Sequence, residues 1–69
     1  MKAADLLRRL NRLATRRGWQ IEITEGGSHT KVRCNNRRST VPRHATDLKT
    51  GTLRAILKQL GLAAEDLEV

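Results

Sequence analysis

Tyrosine and phenylalanine are absent and tryptophan occurs once, so the chain lacks the rows of aromatic side chains on which many single-strand RNA binders stack bases. The one cysteine, Cys34, excludes an internal disulfide and a cysteine-based zinc cluster, and an unpaired thiol suits the reducing cytoplasm, where we expect the protein to act. No apolar run reaches the roughly 18 residues that a membrane-spanning helix needs, and the N-terminus lacks the pattern of a secretory signal. Residues 1–69 are expected to form a single domain.

Carboxylates are scarce relative to basic side chains. The chain has 14 Lys and Arg against 7 Asp and Glu, and three of the acids lie in an acidic C-terminal segment, residues 62–69. Between Glu25 and Asp47 there are five Lys and Arg and no acid. A surface of this charge attracts polyanions, so the partner is expected to be a nucleic acid or an acidic protein.

Two segments have the periodicity of amphipathic helices. In the first, apolar residues recur on one side of residues 6–14, and Gly18 is a suitable left-handed stop. In the second, an apolar stripe runs through residues 53–60, with Thr50 or Thr52 as the expected N-terminal cap. Each helix therefore has one side to bury.

Three strands are predicted between the helices. Apolar and polar residues alternate from Trp19 to residue 24, and residues 25–27 break the pattern as a turn. Residues 28–41 form two halves around Asn35-Asn36, and because asparagine tolerates positive φ, we predict a two-residue type I′ hairpin turn. Counting outward from this turn places Arg33 opposite Arg38, and like charges in that position are unfavourable. Either an anion normally sits between them, or the two side chains splay into water at small cost.

The period of two sorts the hairpin into two faces. The side chains expected to point inward are Thr30, Val32, Cys34 and Val41. Those expected to point outward are His29, Lys31, Arg33, Arg38 and Thr40. Because the antiparallel three-stranded sheet has one apolar face, both helices must pack on that side, in an α+β two-layer sandwich of order α-β-β-β-α. The opposite face stays open and carries His29.

The open face has the groups that RNA cleavage requires. RNA supplies its own nucleophile, the 2′-hydroxyl, so an enzyme needs an acid–base group and positive charge but no covalent residue and no metal. His29 is the candidate catalytic residue, because imidazole moves protons near neutral pH. Lys31, Arg33 and Arg38 can stabilise the phosphate charge. Two histidines fifteen positions apart with no nearby acid are a poor ligand set, so neither a metal nor a cofactor is expected.

Two alternatives remain open. His44 could be a second proton-transfer group, or it could cap its loop through a backbone hydrogen bond, and the structural role is favoured. The whole chain could also be a non-catalytic RNA-binding module of the same architecture, in which His29 is only a surface group. A helix-turn-helix DNA binder fits less well, because the alternation after Trp19 is that of a strand.

Several motifs of the chain resemble those of a known family. Gly27-Ser28-His29, the segment 38–42, His44 and the segment 51–61 occur in the order found in the HicA toxins of bacterial toxin–antitoxin systems. The resemblance covers essentially the whole chain. It implies a fold like the double-stranded-RNA-binding domain, a ribonuclease that cleaves mRNA, and a HicB-type antitoxin that covers the active face.

The resemblance also assigns residues. The family's catalytic histidine falls on His29, and its Pro-x-His motif falls on Pro42 and His44. One departure is Val32, where members commonly have an aromatic residue three positions after the histidine; our face assignment puts this position in the core. With mRNA as substrate, the residues expected to contact it are Ser28, Lys31, Arg33, Arg38 and Thr40.

Overall fold

The fold is the predicted α+β sandwich. The structure, a computed structural model, describes residues 1–42 and 47–67. Its elements are α1 (Ala3–Arg17), β1 (Ile21–Gly26), β2 (His29–Cys34), β3 (Arg37–Pro42), α2 (Thr50–Gln59) and a 3-10 helix (Ala64–Leu67). The strands form one antiparallel sheet with β2 in the centre. Within the described ranges, no helix combines the length and the apolar character that crossing a membrane requires.

Helix α1 ends where glycine allows left-handed backbone. Gly18 has φ 69°, its N–H donates to the carbonyl of Thr15 at 3.4 Å, and the N–H of Trp19 donates to the carbonyl of Ala14 at 2.9 Å. These are the two bonds of a Schellman motif, which satisfies the last carbonyls of the helix. Because the amide of Trp19 closes α1, β1 begins at Ile21, and the predicted start of the strand at Trp19 is wrong.

The threonine cap predicted for α2 is also wrong. The residue that precedes the helix is Lys49, which makes no side-chain cap hydrogen bond, and Thr50 is already the first helical residue. The C-terminus is closed by the backbone, because the N–H of Leu62 donates to the carbonyl of Leu57 at 2.8 Å. Helix α2 therefore depends on packing rather than on a cap for its position, as short amphipathic helices in proteins usually do.

The β2–β3 hairpin has the predicted register. Asn35 and Asn36 both have positive φ, 51° and 66°, as a type I′ turn requires. Arg33 is opposite Arg38 and Lys31 is opposite Thr40. The burial pattern follows: each inward residue predicted from the alternation is at most 3% exposed, namely Thr30, Val32, Cys34 and Val41.

A single core lies between the helices and the inner face of the sheet. Leu6 and Leu10 of α1 are fully buried, and they share one cluster with Val32 and Val41 of the sheet and with Leu57 of α2. Truncating a buried leucine of this kind to alanine costs about 2–5 kcal/mol. Since both helices contribute to this cluster, both lie on the same side of the sheet, as predicted, and none of the described elements covers the other side.

Residues 62–67 of the acidic C-terminal segment are part of the folded domain. Leu67 is 3% exposed and belongs to the core. The carboxylate of Asp66 accepts hydrogen bonds from the Arg17 guanidinium at 2.7 Å and from the N–H of Ala63 at 2.8 Å. Arg17 also lies over the ring of Trp19, 5.0 Å from its centroid. The segment thus fastens the end of α1, and Trp19 is half-buried beneath Arg17.

These contacts predict a pH-dependent contribution to stability. The N–H of Ala63 and then the Arg17 guanidinium lower the pKa of Asp66. A carboxyl group whose pKa is lowered by folding stabilises the fold above its unfolded pKa, near 3.9, and that stabilisation is lost as the pH falls through its folded pKa. We expect Asp66→Asn to lower the melting temperature at pH 7 and the loss to shrink below about pH 4. Glu65→Gln is the control, and an equal loss for Asp66→Asn at pH 7 and pH 3 would contradict the prediction.

Candidate active site on the open sheet face

The open face is the outward side of the sheet. Its exposed side chains are Glu22 and Thr24 of β1, His29, Lys31 and Arg33 of β2, and Arg38 and Thr40 of β3. The outward positions predicted from the alternation are thereby confirmed. Five of the seven are the predicted site residues of β2 and β3, and the structure brings them onto one continuous surface.

His29 lies at one end of this face. It is the first residue of β2, and its neighbours across the sheet are Gly26 and Pro42, neither of which has a long side chain. The preceding turn is Gly27-Ser28, and the predicted turn at residues 25–27 is wrong, because Glu25 and Gly26 are still paired with β2. Only Gly27 has positive φ in this turn, 58°, as in a type II′ hairpin turn. The imidazole therefore projects from a tight turn, and neither of its cross-strand neighbours has a side chain long enough to cover it.

The hydroxyl of Ser28 contacts the His29 ring. Ser28 Oγ lies 3.2 Å from Nδ1, and no other hydrogen bond of this imidazole occurs within residues 1–42 and 47–67. A neutral imidazole has one donor and one acceptor nitrogen. If Nδ1 carries the proton and donates a hydrogen bond to the Ser28 oxygen, Nε2 has a free lone pair and can accept a proton. If the Ser28 hydroxyl donates to Nδ1, Nε2 carries the proton. Ser28, predicted to contact RNA, is thus placed to orient the histidine as well.

Lys31 is the outward cation next to His29. The two residues are two positions apart on β2, so their Cα atoms are about 7 Å apart. Lys31 lies between Thr24 and Thr40 on the neighbouring strands. A cavity of about 380 Å³ lies at the β3 edge beside Lys31, and its lining residues are Lys31, Arg38, Ser39, Thr40 and Gln59. Three of the predicted RNA-binding residues therefore line one concave surface.

Arg33 and Arg38 lie at the other end of the face. They are directly opposite each other, and together with Asn36 and Arg37 they line a cavity of about 220 Å³. Arg33 also faces Glu22 across β1, although no ion pair within 4 Å joins them among the described residues. The alternation predicted Glu22 on the polar side of β1, but it did not predict that Glu22 lies opposite Arg33. That pairing follows from the Gly27-Ser28 turn, in the same way that the asparagine turn sets the pairing of β2 with β3.

The side chain of Gln59, in α2, also contributes to the site, and the sequence did not predict this contribution. Its side-chain carbonyl accepts a hydrogen bond from the hydroxyl of Ser39, on the buried side of β3. This contact joins the last turn of α2 to the edge strand, and both residues line the cavity beside Lys31. No local pattern predicts it, because the two residues are twenty positions apart.

The remaining candidate groups are placed as follows. His44 lies outside the described residues, so its predicted role stays a prediction. Among the residues that the structure describes, no three His, Cys, Asp or Glu side chains are grouped as metal ligands. Cys34 is on the inner face, and burial raises the pKa of its thiol. The thiol is therefore not available to react on the open face.

The opposed arginines predict an unusual response to mutation. Arg38 faces a like charge, whereas Arg33 has Glu22 on its other side. We expect Arg38→Ala to raise the free energy of unfolding by up to about 1 kcal/mol, and Arg33→Ala to change it less, because it also removes the attraction to Glu22. Urea denaturation measures both.

Glu22→Gln is the matched control for this prediction. In the wild-type protein it should lower the free energy of unfolding by a few tenths of a kcal/mol. In a protein that already carries Arg33→Ala it should have no effect, because the attraction is already absent. A clear loss of stability in Arg38→Ala would instead show that this arginine holds the hairpin together.

Comparison with known proteins places the chain in a family. The family model described as the HicA toxin of bacterial toxin–antitoxin systems matches residues 7–62. Two Escherichia coli proteins, named probable mRNA interferase HicA and probable mRNA interferase toxin HicA, are each 46% identical over 44 residues, which is 62% of this chain and 76% of theirs. A Photorhabdus laumondii protein, named probable mRNA interferase HicA 1, is 42% identical over 43 residues, 61% of this chain and 75% of its own. No solved structure matches the chain significantly. The protein belongs to the HicA toxin family of bacterial toxin–antitoxin systems.

Proposed function

We propose that this protein is an endoribonuclease toxin that cleaves mRNA in the cytoplasm, that His29 is its acid–base group, and that a HicB-type antitoxin neutralises it. The family and the names of the relatives support the activity. One observation carries the assignment to His29. The imidazole is exposed on the open face, its Nδ1 contacts Ser28, and Lys31 is the next outward residue of the same strand.

The proposed reaction uses the nucleophile that RNA already contains. The 2′-oxygen attacks the adjacent phosphorus, a P–O2′ bond forms and the P–O5′ bond breaks. One proton leaves the 2′-hydroxyl and one reaches the departing O5′. His29 performs one of these transfers, which in general contributes about 10²- to 10⁴-fold to a rate. The other transfer is left to water or to His44.

Distance along the strand separates the roles of the cations. Lys31 is about 7 Å from His29 between Cα atoms, within the combined reach of the two side chains, whereas Arg33 is about 13 Å away. Lys31 therefore neutralises the charge of the reacting phosphate, and the Thr40 hydroxyl opposite Lys31 donates a hydrogen bond to the same phosphate. Arg33 and Arg38 hold a neighbouring phosphate of the same strand. Guanidinium groups suit this task because they bind phosphate oxygens in pairs.

The donor set supports a mechanism without a metal ion. Magnesium and zinc sites in nucleases are built from several carboxylate, histidine or thiolate ligands. On the open face the one carboxylate among the described residues is Glu22, which sits beside Arg33 at the end away from His29. The proton transfers are accordingly assigned to His29 and its partner group alone.

The proposal is tested by cleavage of a defined RNA transcript in excess EDTA. The wild type should cut the RNA, and His29→Ala should lose cleavage while it keeps the melting temperature of the wild type, because an outward side chain leaves no cavity when it is removed. Thr24→Ala, which shortens an outward side chain on β1, is the matched control and should still cut.

Three outcomes would contradict parts of this account. Unchanged cleavage by His29→Ala would remove the catalytic assignment. Protection of the RNA without cleavage by the wild type would favour the non-catalytic RNA-binding module. Cleavage that appears only after a divalent ion is added would show that the reaction depends on a metal.

The same face is the proposed site of the antitoxin. A toxin with this face uncovered would cleave the mRNA of its own host, so an inhibitor must block access of RNA to the face. The cations Lys31, Arg33 and Arg38 favour a partner that presents carboxylates, and opposite charges speed the encounter of two proteins. Antitoxin and RNA should therefore exclude each other.

A competition experiment between RNA and the antitoxin tests this mutual exclusion. A 2′-O-methyl RNA, which cannot supply the nucleophile, should be displaced by a HicB-type antitoxin, and the association rate of the two proteins should fall as salt is added. Lys31→Glu should weaken the protein complex, whereas Lys58→Glu, an exposed lysine of α2, should not. A ternary complex with undiminished affinity for RNA would place the inhibitor elsewhere.

A further inference from the structure

We propose that helix α1 carries a second RNA-binding surface, separate from the open face, which holds the phosphate backbone without taking part in cleavage. The surface is the α1 stripe, defined by Arg8, Arg9, Arg12 and Arg16. The inference rests on the proposed function only for the identity of the ligand as RNA. The existence of the stripe follows from charge and geometry.

Most of the net charge of the protein is on this helix. Residues 1–17 contain six Lys and Arg and one Asp, whereas the whole chain contains 14 Lys and Arg and 7 Asp and Glu. Five of the seven net positive charges therefore belong to α1 and the two residues before it. The open face, where the chemistry is proposed, accounts for much less of the net charge, because Glu22 offsets one of its cations.

The α1 stripe faces away from the sheet. Arg8, Arg12 and Arg16 are four residues apart, so they fall within an arc of about 80° and rise about 6 Å at each step along the helix. All are exposed, while Leu6 and Leu10 on the opposite side of α1 are buried against the sheet. The stripe thus lies on the far side of the two-layer sandwich from His29 and cannot hold the reacting phosphate.

The arginines of the stripe are poorly neutralised by the protein itself. Arg8 is 3.5 Å from Asp5, and both side chains are largely exposed. In the described part of the chain, no carboxylate lies within 4 Å of Arg12 or Arg16. Like charges four residues apart destabilise a helix. A polyanion laid along the stripe would relieve that repulsion.

The concave side of the stripe offers space for a backbone. A cavity of about 290 Å³ lies along α1, and its lining residues are Asp5, Arg8, Arg9, Arg12 and Leu67. Leu67 comes from the 3-10 helix, which packs beside α1. The C-terminal segment therefore forms one wall of the surface and keeps the arginines on its rim.

The chemistry of the stripe favours RNA over a lipid surface. A helix that binds a membrane inserts its apolar side, but the apolar side of α1 is committed to the core. All four cations are arginines, whose planar guanidinium groups bind phosphate oxygens bidentately. Their regular spacing suits a chain that carries one negative charge per nucleotide. We therefore expect the stripe to raise RNA affinity and leave the chemical step unchanged.

The test compares two double variants of equal charge. Arg12→Gln/Arg16→Gln removes two exposed cations from the stripe, and Arg54→Gln/Lys58→Gln removes two exposed cations, also four residues apart, from α2. Glutamine is a good helix former, so both variants should keep their melting temperatures. Binding is measured with a 2′-O-methyl RNA at several salt concentrations, and cleavage with the corresponding unmodified RNA.

The stripe variant should bind RNA roughly tenfold or more weakly at low salt, and the slope of log Kd against log salt should fall by about 1.4, as expected for two lost phosphate contacts. Its KM for cleavage should rise by a similar factor while kcat stays close to the wild type. The α2 variant should change Kd and KM much less.

Equal weakening by both double variants would show that net charge alone matters, and the proposal would be wrong. Unchanged RNA binding by the stripe variant, with weakened binding of poly-L-glutamate, would make the stripe a surface for an acidic protein. Absence of cleavage by the wild type, with the binding difference intact, would refute the proposed ribonuclease and leave this inference standing.

Discussion

The register of the β2–β3 hairpin is the constraint on which the rest of the molecule depends. Asn35 and Asn36 supply the two positive φ angles of a type I′ turn, and this turn fixes which residues face each other. A slip by one residue would carry Arg33 into the core and expose Val32. Burying an unpaired guanidinium costs several kcal/mol, so the alternation of the sequence enforces the same register as the turn.

The separation of packing from chemistry follows from that register. Because Val32, Cys34 and Val41 of the hairpin belong to the core, both helices cover that face, and none of the described elements covers the other face. Residues on the open face can be chosen for charge and proton transfer with little effect on packing. The opposed arginines are an unfavourable feature of this arrangement, because their like charges repel each other. Helix α1 follows the same division, with leucines toward the core and arginines toward solvent.

Local rules predicted the parts of the structure that local interactions determine. The asparagine turn, the strand pairing and the inward and outward faces of β2 and β3 follow from a two-residue turn and a period of two. The start of β1 was missed because the amide of Trp19 is used to close α1, which a hydrophobic pattern does not reveal. The same pattern could not show Leu67 in the core, since that placement requires the C-terminal segment to return to α1.

Some residues of the candidate site could likewise be predicted from the sequence and others could not. His29, Lys31 and Arg38 could be placed on one face because they belong to a single hairpin. The pairing of Glu22 with Arg33 depends on where the turn between β1 and β2 lies, and the contact of Gln59 with β3 depends on how two distant elements meet. The contact between Ser28 and His29 depends on the shape of the preceding turn rather than on any spacing.

The central claim is that the RNA supplies the nucleophile and an imidazole on the open face moves a proton. The chemical ends of the cut RNA test this claim most directly, and mass spectrometry of the fragments identifies them. Attack by the 2′-oxygen with loss of O5′ predicts a 2′,3′-cyclic phosphate, or the phosphate formed when it is hydrolysed, on one fragment and a 5′-hydroxyl on the other. Fragments that carry a 3′-hydroxyl and a 5′-phosphate would show that water attacked the phosphorus, and would contradict the account.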